Sequence, residues 1–161
     1  MLGSLFIGQT VEAIGQALLS AGANDGLIAV IGPPRVAHAL QEQGFRVLVV
    51  ASKPKSLRRA KGIRVYSDLA ALPLESGGLA GLVAFDASQH QAWATRLAAW
   101  SDAVRARGTI VLVDRASPAD MTRIALCGGL MEIQQRQTGR TFITSGRVEK
   151  LPAALPAASR S

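Results

Sequence analysis

The chain has 161 residues, a length that suits one compact domain burying about 70% of its unfolded surface. Apolar residues make up 48% and charged residues 18%, which excludes a wholly disordered chain, and no apolar run reaches the roughly 18 residues of a membrane span. Lys and Arg number 18 against 11 Asp and Glu, for a net charge of +7, a balance that favours anionic partners without choosing among them.

Residues 8–22 place Val11, Ile14, Leu18 and Leu19 at helical spacing, and Asn24-Asp25-Gly26 reads as a turn. The apolar run Leu27 to Ile31, ended by Gly32-Pro33-Pro34, predicts a buried strand. Val36 to Gln43 predicts a helix stopped by Gly44. A second buried strand is expected over 45–51 (FRVLVVA) and a third over Ile63 to Tyr66, after a basic stretch at 52–62. A fourth follows at 79–85 (LAGLVAF), then a long helix over 89–107 carrying Trp93, Leu97, Trp100 and Val104, then a fifth strand at 109–114 (TIVLVD). Asp120 to Leu126 predicts a short helix with Pro118 near its first turn. Met131–Arg136 and Arg140–Val148 predict two strands joined by a tight turn at Thr138-Gly139. From Leu151 onward the Ala/Pro/Ser tail reads as disordered.

Strand and helix alternating over about a hundred residues imply parallel βαβ units, hence an α/β fold with an open, doubly wound, mostly parallel sheet, closed here by an antiparallel hairpin. Five segments in order carry a family likeness: IAVIGPP, VLVVASKPKSL, VYSDLAALPLESGGLAGLV, VRARGTIVLVD and GGLMEIQQRQTGRTFITSGR. Together they resemble the class I S-adenosylmethionine-dependent methyltransferases over about residues 27–148. The resemblance implies a seven-stranded Rossmann-type sheet whose last strand is antiparallel, with a cofactor across the carboxyl ends of the first strands. The expected organisation is an N-terminal helix and turn over 1–26, the methyltransferase-like domain over 27–150, and the tail over 151–161.

The residues at the family's cofactor positions depart from its pattern. In place of G-x-G-x-G stand Gly32, Pro34 and Val36, with Pro33 between the first two. The prolines fix φ and remove two N–H donors, and Val36 is expected to add bulk where the cofactor approaches. The ribose-binding acid that ends the second strand is replaced by Ala51, which has no acceptor. Asp68, with Leu69 beside it, keeps the position that the family uses against adenine. Asp86, after the fourth strand, is the candidate for orienting an acceptor or acting as a base. The competing structural role is that Asp86 and Ser88 turn the chain and cap the next helix. His38 and His90 read as helix-surface residues, and Cys127 as a small apolar filler that has no partner for an internal disulfide.

Six basic residues, Lys53, Lys55, Arg58, Arg59, Lys61 and Arg64, lie uninterrupted by acid between positions 53 and 64, on the segment that leads from the second strand into the third. They form a candidate surface for nucleic acid, a phosphate or an acidic protein face. A nicotinamide-nucleotide domain is a weaker match, because the same prolines remove N–H groups that a pyrophosphate needs. The expectation is therefore a degenerate methyltransferase-like domain without cofactor, acting as a non-catalytic binding protein for a protein partner, a second copy of itself or an anionic partner. The alternative is a small active methyltransferase using S-adenosylmethionine through atypical contacts. With no basic leader segment at Met1–Ile7, the default compartment is the cytoplasm.

Overall fold

A computed structural model describes residues 2–51, 63–66, 77–89 and 91–150, with side chains from residue 8 onward. Helix α1 (Leu2–Ser20) leads through a short 3₁₀ turn at Ala23–Asp25 into strand β1 (Leu27–Ile31). There follow α2 (Pro34–Glu42), β2 (Arg46–Val50), β3 (Val65–Tyr66) and β4 (Leu79–Phe85). The chain continues through α3 (Trp93–Ala103), β5 (Val104–Asp114), α4 (Pro118–Cys127), β6 (Leu130–Thr138) and β7 (Thr141–Val148). The expectations placed on Lys53, Lys55, Arg58, Arg59, Lys61, Asp68, Leu69, His90 and the tail fall outside the described residues.

The strands form one seven-stranded sheet in the order β3-β2-β1-β4-β5-β7-β6. The first five pair in parallel, and β7 runs antiparallel to both β5 and β6. The apolar runs in the sequence are continuous because the central strands are covered on both faces. Alternate residues go to opposite layers. Val30, Val83 and Val111 join Val11, Ile14, Leu18 and Leu40 of α1 and α2. Ala29, Leu82, Ile110 and Leu112 join Leu97, Trp100, Met121 and Ile124 of α3 and α4.

Three elements differ from the sequence-based expectation. Helix α1 starts at Leu2 instead of residue 8. The long helix expected over 89–107 breaks up into a 3₁₀ turn at Ala87–Gln89 and α3, and Val104 already belongs to β5. Val104 is fully buried against the α3 layer and pairs with Leu79 on β4, so its place in the apolar series 93, 97, 100, 104 marks burial and not helix. Between the pairs Leu79↔Val104 and Gly81↔Thr109, β5 advances five residues while β4 advances two. The surplus loops out as an irregular bulge, in which Arg107 adopts φ 67°. Cys127 is exposed, not packed as a filler.

Helix α4 begins two residues earlier than expected, with Pro118 in its first turn and Ser117 as its cap. Ser117 Oγ accepts from the Asp120 amide at 3.2 Å and donates to the Asp120 carboxylate at 2.8 Å. The β6–β7 turn consists of Gly139 and Arg140 between the paired Thr138 and Thr141. Gly139 has φ 63° at the first turn position, where two-residue hairpins often place a glycine.

The carboxyl ends of β4 and β5 are fastened by Asp114. Its carboxylate, 2% exposed, accepts from Ser88 N at 2.9 Å, Ser88 Oγ at 2.7 Å and Ala116 N at 3.0 Å. Alongside it, Asp86 N donates to Val113 O at 2.9 Å. Replacing Asp114 with Ala leaves these donors without their acceptor and is expected to cost about 2–3 kcal/mol. Thermal denaturation followed by circular dichroism should show the midpoint falling by about 4–10 °C, and a fall below about 1 °C would mean that the tie contributes nothing.

Candidate functional site at the carboxyl edge of the sheet

In an open parallel sheet the chain leaves adjacent strands β1 and β4 in opposite lateral directions, and the divergence opens a crevice at their carboxyl ends. Three of the residues singled out from sequence meet this edge. Gly32 follows β1, Ala51 follows β2 and Asp86 follows β4. Arg64 does not join them. It is exposed at the amino end of β3, on the outer edge of the sheet.

Beside Gly32 the space is taken by a side chain of the protein itself. A Cβ placed on Gly32 would stand 2.6 Å from Phe85 Cδ1 and 3.0 Å from Phe85 Cγ. The Phe85 ring therefore lies directly against the bare face of this glycine. Pro33 caps α2 with no side-chain hydrogen bond, and Pro34 occupies the first turn, so these two residues offer no N–H to a ligand. Val36 is only 3% exposed and packs into the α1–α2 layer, and it contributes to the wall of the adjoining cleft. Ala51 packs its methyl group against the same layer while its amide donates to Tyr66 O at 2.9 Å.

On the β4–β5–β7 side the edge is open. A cleft of about 1280 Å³ lies between the first turn of α2, the ends of β4 and β5, the β6–β7 turn and α1. Its lining includes Phe85, Asp86, Val113 and Asp114, with Arg35, Arg115 and Arg140 contributed by three separate segments. Thr10 of α1 and Thr138 of β6 share a hydrogen bond at 3.1 Å, which ties the helix to the hairpin at the far wall. Arg136 of β6 adds a second tie by donating to the Gln16 side chain.

Asp86 is exposed and adopts φ 57°, a left-handed conformation that aspartate tolerates better than most residues. It turns the chain, with Gln89 N donating to its carbonyl at 3.2 Å. Ser88 does not cap a helix as expected, since its amide and hydroxyl both serve Asp114. Asp114, Arg35, Arg115 and Arg140 were not singled out from sequence. The signal for them was position: each closes a strand or follows a strand end or turn on the edge where open α/β sheets bind ligands. Among the described residues, no group of three or more His, Cys, Asp or Glu is placed to hold a metal ion, and no helix is long and apolar enough to cross a membrane.

No family model and no curated protein sequence matches the chain. Solved structures do match. One is from the complex of the Haloferax volcanii Trm112 methyltransferase activator with a methyltransferase candidate, with TM-score 0.66 and 10% identity over 80% of this chain and 84% of that one. The TehB-like SAM-dependent methyltransferase of Corynebacterium glutamicum matches with TM-score 0.62 and 20% identity, covering 84% of this chain and 88% of that one. Human N-acetylserotonin methyltransferase, solved in complex with SAM, matches with TM-score 0.64 and 13% identity over 90% of this chain and 55% of that one. The strand order, the antiparallel β7 and these likenesses agree: the chain has the fold of the class I S-adenosylmethionine-dependent methyltransferases.

Proposed function

We propose that this methyltransferase-fold domain acts by binding and not by methyl transfer, its S-adenosylmethionine site having been lost. The observation that carries this reading is the Phe85 ring against the open face of Gly32, where the fold's cofactor loop otherwise gives the ligand bare backbone. Ala51 supports it, because a methyl group there accepts no hydrogen bond from a ribose. Losing a charged hydrogen-bonding partner costs on the order of 2–3 kcal/mol, roughly a hundredfold in affinity. The Pro33-Pro34 pair supports it further by withholding backbone donors. By these criteria the residues do not fit the cofactor.

The partner in this reading is a protein, a second copy of this chain or an anionic polymer. The Haloferax complex, in which a methyltransferase candidate is assembled with a protein activator, supports a protein partner. The basic run Lys53 to Arg64, of which Arg64 is described and exposed, supports an anionic one. The second reading, an active enzyme, draws on the SAM-bound human relative in fold.

Calorimetric titration of the purified chain with S-adenosylmethionine separates the two readings. No binding in the micromolar range is expected, and a micromolar dissociation constant would overturn the reading that the cofactor site is lost. Ala51→Asp by itself is expected not to confer binding, because the Phe85 ring still covers Gly32. For an anionic partner, Arg58→Glu with Arg59→Glu should weaken binding to a model RNA and reduce the slope of log affinity against log salt by about 2–4. An unchanged slope removes this segment from the interface.

A further inference from the structure

We propose that the open cleft at the carboxyl edge is a binding site for a small organic oxyanion, a phosphate or carboxylate carried on an apolar or planar body, gripped by Arg35, Arg115 and Arg140. The three arginines come from the start of α2, the residue after β5 and the β6–β7 turn, and all line one concavity. The ladder that sets Asp114 opposite Phe142 leaves Arg115 and Arg140 at neighbouring ends of β5 and the turn. The ion pairs among the described residues are Arg105–Asp25, Arg123–Asp120 and Arg147–Glu132. None of the three cleft arginines takes part.

Two carboxylates share the cleft without neutralising this group. Asp114 is buried and already accepts three hydrogen bonds from Ser88 and Ala116. Asp86 is exposed on its turn, available to a donor group on the ligand. Like charges brought into one concavity repel, and an oxyanion removes that repulsion while satisfying the planar fork of arginine in bidentate fashion. The half-buried Phe85 and the buried Val113 supply an apolar floor, the usual complement to a few placed polar groups in a small-molecule site. This inference rests on the non-catalytic reading only in treating the ligand as bound and not methylated.

The test is an amide-resolved NMR titration of the full chain with phenyl phosphate, benzoate and benzyl alcohol as probes. The expected result is saturable shifts centred on Arg115, Arg140, Thr141 and the first turn of α2 with at least one of the two anions, and much weaker shifts with the neutral alcohol. Which anion binds more tightly assigns the oxyanion as phosphate or carboxylate. Arg115→Ala with Arg140→Ala should weaken the anion by about tenfold or more, and Arg115→Lys with Arg140→Lys should recover part of the loss, since charge remains but the fork is gone. Both pairs are exposed positions, and an unchanged amide spectrum outside the cleft verifies folding. Equal binding of alcohol and anions, shifts centred elsewhere, absence of shifts at millimolar probe, or an undiminished affinity in the double alanine variant overturns the proposal. Micromolar binding of S-adenosylmethionine would end the non-catalytic reading and leave this one standing. Indifference to both anions would do the reverse.

Discussion

One buried carboxylate holds the working edge of this molecule together. Asp114 ends β5, and by accepting from Ser88 and Ala116 it binds the segment after β4 to the segment after β5. Beyond the backbone bond from Asp86 N to Val113 O, the ladder between these adjacent parallel strands ends, and the Asp114 side chain continues the connection into the loops. Three hydrogen bonds to one charged, desolvated group suffice, because charge-assisted bonds in a water-poor setting are the stronger ones. The position of Asp86 and the shape of the open cleft both follow from this fastening.

Two features meet at the carboxyl edge. Beside β1 and β2 the chain places an aromatic ring against a glycine, two prolines without amide donors, and the methyl group of Ala51. Over β4, β5 and β7 it leaves a wide cleft rimmed by arginines. Among the described residues, Arg35, Arg115 and Arg140 line that cleft together with Pro33 and Val36. Chemistry on this scaffold is determined by the few side chains at the strand ends and not by the sheet beneath them.

Much of the architecture was legible because its cause is local and repetitive. Continuous apolar runs such as Leu27 to Ile31 and Leu79 to Phe85 mean burial on two faces, and their alternation with helices implies the parallel sheet. The methyl side chain of Ala51 and the rigid Pro33-Pro34 pair were likewise visible as residues. The end of α3 was not. Trp93, Leu97, Trp100 and Val104 fit a helical period throughout, yet Val104 pairs with Leu79, because a strand partner distant in sequence outweighed the local pattern. Ser88 was read as a cap for the same reason: its true acceptor, Asp114, lies 26 residues away.

The amino-acid sequence by itself determined the class of fold and which residues follow the first two strands, Gly32-Pro33-Pro34 and Ala51, since both depend on residue type and on spacing along the chain. Only the tertiary structure decided that Phe85 fills the face of Gly32, that Val36 lies in the wall, and that Arg35, Arg115 and Arg140 share one cleft. Those are relations between residues tens of positions apart. They are set by how seven strands are ordered and in what register, and a one-dimensional pattern carries no measure of that proximity.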